Sequence, residues 1–178
     1  MRRTQRQLRD ALVELILERG WDAVTVRDVC ERADVGRSTF YVHFADKENL
    51  LLSGFDELQG ALAELSRDAK VPFAFAEPLL AHALENVRLF QAVVGRQAGH
   101  QVQWRFRDLL VTLLGQELVG RKLPAAARPW TARFLAGGFL EQLTEVLEGA
   151  GTARADVLAA RFRRLALGVL AVARTESP

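Results

Sequence analysis

The feature that most constrains the fold of this chain is a helical spacing of apolar residues along its whole length. Apolar residues recur at intervals of three and four positions, and the short apolar runs lie inside these patterns. Alternating apolar and polar runs bounded by turn residues, which would predict strands, do not occur in the sequence. The pattern therefore predicts an all-α protein.

The N-terminal part of the chain predicts four helices. The first covers residues 4–19 and ends at Gly20, which tolerates the positive φ common at helix ends. Thr25 is expected to cap a short second helix, and a third follows after a brief turn over residues 37–43. Two short helices joined in this way form a candidate helix-turn-helix. The fourth helix begins at Lys47 and links this unit to the rest of the chain.

Five more helices are expected behind the fourth, which brings the predicted total to about nine. Prolines and glycines separate these segments. The last two carry apolar residues over more than one stripe, so each is expected to bury one face on its own chain and another elsewhere. The expected ranges are residues 77–86, 88–94, 100–119, 129–147 and 154–174.

The composition argues against several classes of protein. A chain that is 49% hydrophobic and 26% charged is an ordinary globular one. The single cysteine, Cys30, and three histidines without metal-ligand spacing predict no metal site, and without a nucleophile elbow or phosphate loop we expect neither an enzyme nor a cofactor. Residues 165–173, the longest apolar run, fall short of the about 20 residues of a membrane span. A soluble, cytoplasmic protein is expected, since the N-terminus lacks the apolar core of a signal peptide.

The net charge of +2 is too small to indicate nucleic-acid binding, so the distribution of charge has to carry that argument. The first nine residues hold Arg2, Arg3, Arg6 and Arg9 and no acid, and acidic residues follow directly. This distribution predicts a basic arm on a nearly neutral body.

One stretch carries a more specific signal. Residues 20–44 read GWDAVTVRDVCERADVGRSTFYVHF, and residues 45–51 continue as ADKENLL. The stretch resembles the DNA-binding signature of the TetR family of bacterial transcriptional regulators, both in the order of many positions and in its N-terminal location. The resemblance implies a helix-turn-helix DNA-binding domain over residues 1–46 and a helical ligand-binding and dimerisation domain over residues 47–178.

The start of the third helix supports this interpretation physically. A recognition helix needs small or polar residues at its N-terminus so that the backbone can approach DNA. Arg37 can bind guanine or a phosphate, and Ser38 and Thr39 can bind phosphates or base edges. Phe40 and Phe44 are expected to face inward. With the phosphate contacts that the resemblance implies, the expected DNA-binding residues are Thr25, Gly36, Arg37, Ser38, Thr39, Tyr41, Val42, His43 and Lys47.

Simpler roles remain open for several of these residues. Arg37 could be a solvated surface charge, Tyr41 a core aromatic, and His43 a ring partly packed near Phe44. Lys47 could cap the start of the fourth helix, where its charge opposes the helix dipole.

Two positions depart from the family pattern, which often has glycine at position 34 and serine at position 36. This chain has Asp34 and Gly36 instead. Aspartate tolerates the left-handed backbone better than most residues, so the turn is expected to survive. The missing hydroxyl at Gly36 is expected to remove one phosphate contact, which a backbone N–H must replace.

The resemblance also implies roles for the C-terminal two thirds of the chain. A pocket for a small-molecule effector is expected there, although the same aromatics could form an ordinary core. The last two helices, over residues 129–147 and 154–174, are expected to form a four-helix bundle across a twofold axis, which gives a homodimer. The expected pocket residues are Phe73, Leu84, Val87, Phe90, Trp104 and Phe106.

The function expected from these observations is sequence-specific DNA binding. The chain is interpreted as a ligand-responsive repressor that binds a palindromic operator as a homodimer. The alternative is a helical ligand-binding or adaptor protein that does not bind DNA. The polar start of the third helix and the basic arm argue against that alternative.

Overall fold

The structure, a computed structural model, describes residues 2–67, 69–94, 100–149 and 154–175. These ranges form nine α-helices and no strand, which confirms the all-α prediction, and the helix ends lie within two residues of the expected ones. No helix in these ranges is long and apolar enough to cross a membrane. The helices are α1 (Arg2–Arg19), α2 (Val26–Ala33), α3 (Arg37–His43), α4 (Lys47–Arg67), α5 (Ala76–Glu85), α6 (Val87–Val93), α7 (His100–Gly120), α8 (Arg128–Glu148) and α9 (Ala155–Thr175).

The basic arm of the sequence is part of α1 rather than an irregular tail, because the helix begins at Arg2. Arg6 lies 4.0 Å from Asp10 on the next turn. Arg9 reaches across to α4, where its guanidinium donates to the Glu57 carboxylate over 2.7 Å. The arm is therefore partly neutralised, and α1 ends at Gly20 with the expected positive φ of 80°.

Helices α1, α2 and α3 form an N-terminal unit around one apolar core. Arg32 of α2 holds α1 by donating both Nη atoms to the Glu18 carboxylate, each over 2.8 Å. This hydrogen bonding lowers the pKa of Glu18 below its usual value. Cys30 is a buried free thiol in α2, and burial raises its pKa. The buried side chains of the unit include Leu8, Leu12, Leu15, Ile16, Val24, Val29 and Phe40.

Helix α4 connects the N-terminal unit to the C-terminal helices. It contacts α1 on one side and α7 on the other, and its Phe55 ring lies 5.5 Å from that of Phe106 in α7. The C-terminal core centres on Phe75, Phe139 and Phe162, where the last two rings meet edge to face at 4.9 Å. Helix α4 thus contacts both the N-terminal unit and the C-terminal helices.

The last two helices expose large apolar side chains, as their broad stripes predict. On α8, Trp130 and Phe134 are more than half exposed and stack with ring centroids 5.3 Å apart. On α9, Val157, Leu165 and Val172 are equally exposed. Both helices therefore expose several large apolar side chains to solvent in the single chain.

Candidate DNA-binding surface and effector region

The start of α2 is held by a capping box between Thr25 and Asp28. The Thr25 hydroxyl accepts from the Asp28 N–H over 3.2 Å, and the Asp28 carboxylate accepts from the Thr25 N–H over 2.9 Å. The same carboxylate also accepts from the Thr25 hydroxyl over 2.6 Å. These bonds from Thr25 lower the pKa of Asp28. Thr25 is therefore already engaged within its own helix, although its side chain remains exposed.

The turn between α2 and α3 accommodates both departures from the family pattern. Asp34 adopts the left-handed conformation, with φ 52° and ψ 45°, and the following Val35 N–H donates to the Cys30 carbonyl over 3.0 Å. Gly36 caps α3 without a side-chain bond. A Cβ atom there would meet only the Ser38 and Thr39 hydroxyl oxygens, each at 3.8 Å, so a serine would fit. The turn does not depend on the family's usual residues.

Two buried aromatic side chains pack α3 against the rest of the N-terminal unit. Phe40 and Phe44 are buried as expected, with ring centroids 5.8 Å apart. The opposite face is open, with Tyr41 59% and Val42 75% exposed, so Tyr41 is not the core aromatic of the simpler interpretation. His43 is half-buried, and its ring lies 6.2 Å from that of Phe44. Gly36, Arg37, Ser38 and Thr39 are all exposed at the start of this helix.

Arg37 differs from the other arginines of α1–α3 that face acids. Arg19 lies 3.5 Å from Asp28, and Arg27 lies 2.6 Å from Glu31. Arg37, by contrast, has no hydrogen-bond or ion-pair partner within the described part of the chain. Its positive charge also stands at the N-terminal end of α3, where it opposes the helix dipole. The surface of α3 therefore presents an uncompensated cation that an anion would stabilise.

The Lys47 side chain makes contacts within the protein that the sequence did not predict. Its Nζ donates to the carbonyls of Trp21 and Val24, each over 2.8 Å, and lies 4.4 Å from the centroid of the Trp21 ring. The first turn of α4 is thereby fastened to the turn before α2. Trp21 lies in that turn, outside any periodic pattern, so nothing in the sequence indicates this contact. One N–H of the ammonium remains for the predicted phosphate contact.

The six residues expected to line a pocket do not come together. The rings of Phe90 and Phe106 lie 6.0 Å apart, whereas the Phe73 ring packs against that of Phe162 at 5.8 Å. Trp104 is 62% exposed. The buried face of α7 contains Phe106 and the residues one helical turn before and after it, and Trp104 lies on the opposite face. Leu84 and Val87 are half-buried.

The described residues include no group of three or more His, Cys, Asp or Glu side chains that could hold a metal ion. What they do present is a short exposed helix with a polar start, joined by a tight turn to a capped helix behind it. This fold and this surface place the chain in the class of helix-turn-helix proteins.

Comparisons with known proteins agree with this class. Residues 8–53 match the family model described as bacterial regulatory proteins, tetR family. The regulator TcmR of Streptomyces glaucescens is 36% identical over 97 residues, which cover 54% of this chain and 39% of that protein. The transcriptional repressor DhaR of Mycobacterium sp. (strain GP1) is 35% identical over 63 residues, which cover 33% of this chain and 32% of that protein. The matches thus span well under half the length of these curated relatives.

The fold similarity extends further along the chain than the sequence similarity. A TetR transcriptional regulator from Streptococcus agalactiae 2603V has a crystal structure with a TM-score of 0.70 and 24% identity, over 93% of this chain and 94% of that one. At this level of identity the likeness shows a shared fold. The N-terminal part of the chain therefore matches the tetR family model, and the chain as a whole has the fold of a TetR transcriptional regulator.

Proposed function

We propose that this protein is a ligand-responsive transcriptional repressor that binds a palindromic operator as a homodimer. The observation that most supports the proposal is the open face of α3, which is fixed from behind by Phe40 and Phe44. This face carries Arg37, which has no partner among the described residues. The similarity to DhaR, a transcriptional repressor, favours repression over activation. Residues 1–46 are the proposed DNA-binding domain, and residues 47–178 the proposed effector-binding and dimerisation domain. Such a regulator acts in the cytoplasm, where the DNA is.

Each subunit is proposed to place α3 in the major groove, with the two helices about 34 to 36 Å apart on successive turns of DNA. Arg37 reads a guanine or grips a phosphate, and Ser38 and Thr39 bind base edges or phosphates. Val42 packs against a thymine methyl group. The Gly36 N–H and the side chains of Thr25, Tyr41, His43 and Lys47 contact the phosphate backbone.

The exposed apolar stripes of α8 and α9 support the proposed homodimer. Trp130 and Phe134 on one helix and Leu165 and Val172 on the other would be buried when two copies pack across a twofold axis. The resulting four-helix bundle fixes the separation of the two copies of α3. A repressor on a palindrome requires such a fixed separation.

A small-molecule effector is proposed to bind residues 47–178 and to change the separation of the two α3 helices. Helix α4 is the structural link, since it contacts both α1 and α7. Release from DNA requires the effector to bind the two conformations with different affinity.

The test is selection of bound sequences from a random duplex library at near-physiological salt, followed by titration of the recovered site. We expect a palindrome with half-sites one helical turn apart. Arg37→Ala should weaken operator binding by about 1 to 3 kcal/mol per half-site and relax preference at one base position. Arg107→Ala removes the same charge from an exposed site on α7 and should leave binding unchanged.

Two results would change these assignments. Equal weakening of Arg37→Ala on all sequences would show that Arg37 grips phosphate rather than reading a base. Recovery of no consensus sequence would contradict the repressor and favour a helical adaptor that does not bind DNA.

A further inference from the structure

A partly open cavity of about 140 Å³ lies where the N-terminal unit meets the C-terminal helices. Its walls come from four helices: Leu12 and Val13 of α1, Gly54 and Phe55 of α4, His82 of α5 and Phe90 of α6. A molecule in this cavity would therefore contact α1, which packs against α2 of the helix-turn-helix, and also α4, α5 and α6.

The walls of the cavity are mainly apolar, and its aromatic side chains are held in place by packing. Leu12 and Phe90 are buried, and the rings of Phe55 and Phe90 both pack edge to face against Phe106, at 5.5 and 6.0 Å. An apolar cavity of roughly 150 Å³ in another protein stays dry and binds benzene. The size and lining of the present cavity fit one aromatic ring.

The polar groups at the cavity favour a neutral ligand. Arg9 lines it, but its guanidinium donates to both Glu57 carboxylate oxygens, over 2.7 and 2.6 Å, and to the Ser53 carbonyl over 3.4 Å. This ion pair neutralises the Arg9 charge, so the cavity offers no free cation for a carboxylate or phosphate.

His82, which is exposed, also lines the cavity and supplies one hydrogen-bonding group. Its ring meets that of Phe90 edge to face at 5.6 Å, and its Nδ1 lies 3.3 Å from the Asn86 side-chain nitrogen. When the Asn86 amide donates to Nδ1, the ring hydrogen is on Nε2, which can donate to an oxygen of a ligand.

We propose that this cavity is a binding site for a neutral single-ring aromatic compound with one hydroxyl group, and that its occupant is an effector of DNA binding. The effector role rests on the proposed function, whereas the binding itself does not. An occupant stabilises the present spacing of α1, α4 and α6, whereas DNA binding requires a different position of α3. DNA and the ligand then favour different arrangements, and each weakens the binding of the other by the same factor.

Gly54 provides a way to fill the cavity without disturbing the fold. A Cβ atom at Gly54 would meet only the Arg9 Cδ, at an ordinary contact distance of 3.8 Å. Gly54→Leu therefore places a side chain where the ligand would lie, and Gly54→Ala places only a methyl group there. Gly60→Leu is the matched control, because Gly60 lies on the same helix and a Cβ atom there meets nothing within 4 Å.

The experiment titrates phenol into the full-length protein by calorimetry and then measures affinity for the selected operator with and without phenol. Wild type and Gly60→Leu should bind phenol saturably, one molecule per subunit. Gly54→Leu should lose phenol affinity at least tenfold, and Gly54→Ala should lie between them. His82→Phe should lose about fivefold, the effect of one neutral hydrogen bond. Phenol should weaken operator binding by wild type by about 5- to 150-fold.

The outcomes separate this inference from the proposed function. Absence of phenol binding to wild type, or equal binding to Gly54→Leu and Gly60→Leu, would overturn the site. Phenol binding that leaves operator affinity unchanged would overturn the effector role. If the protein binds no DNA at all, the proposed function fails, while the calorimetry still decides whether the cavity is a site.

Discussion

At the scale of single residues, Asp34 shows how backbone conformation constrains the turn before α3. Its φ of 52° lies in the left-handed region, where β-branched residues are strongly disfavoured. The side chain is exposed, so packing does not select the residue. The requirement is for a residue that tolerates positive φ.

Asp34→Val should therefore lower the free energy of unfolding by about 1 to 2 kcal/mol, the usual cost of the left-handed conformation. Asp34→Gly should change it by less than about 0.5 kcal/mol, because relief of strain offsets the greater freedom of the unfolded chain. Urea denaturation monitored by circular dichroism measures both. Asp22→Val, at an exposed residue without positive φ, is the control. A valine at position 34 that costs nothing would contradict the conformational argument.

The role of a single residue can be predicted from the sequence where that residue's own chemistry decides it. The caps at Thr25 and Gly20 and the left-handed turn at Asp34 follow from local backbone rules, and the structure has all three. The pairing of charges does not follow from local rules. The folded chain brings an acid to Arg9 and, among the residues that the structure describes, none to Arg37.

At the scale of helices, the first turn of α4 is hydrogen-bonded to the turn before α2. The Lys47 ammonium supplies the partner for the carbonyls of Trp21 and Val24. Since the same residue is also a proposed phosphate contact, its two roles have to be separated by measurement.

Lys47→Met keeps most of the side-chain length but removes both hydrogen bonds and the charge. We expect a loss of about 1 to 3 kcal/mol in the free energy of unfolding, because two carbonyls lose a charged donor. Lys70→Met, at an exposed position, should be neutral. An unchanged stability with weaker operator binding and a smaller salt dependence would instead assign Lys47 to phosphate contact alone.

Helix positions were predictable because apolar periodicity is a property of each segment by itself. The grouping of aromatics between helices was not, because it depends on how helices pack. Trp104 belongs to a helical pattern and still lies on the surface, whereas Phe55 joins α4 to the aromatic cluster of α6 and α7.

At the scale of the whole molecule, glycines continue the exposed apolar stripes of α8 and α9. Gly138 follows Trp130 and Phe134 at intervals of four, and Gly168 lies between Leu165 and Val172. A Cβ atom at either glycine meets nothing within 4 Å in the single chain. The described residues therefore leave room for a larger side chain at both positions, and we expect such a side chain to interfere with a partner copy.

Gly138→Leu combined with Gly168→Leu should shift the protein from dimer to monomer without loss of helix content, because the new side chains hold the two bundles apart. Sedimentation velocity over a range of concentrations measures the change. Gly60→Leu, in α4, should remain dimeric. A doubly substituted protein that stays a dimer would place the interface elsewhere, and a monomeric wild type would contradict the proposed homodimer.

The position of the single cysteine makes the N-terminal unit separately observable. Cys30 is buried in α2, and no second thiol exists in the sequence to compete for a reagent. Its rate of alkylation therefore reports how often α2 opens, independently of unfolding of the C-terminal helices. Cys30 is therefore a natural probe of local opening in the domain proposed to bind DNA. We expect binding of operator or effector to change the rate of Cys30 alkylation, and the measurement needs no introduced label.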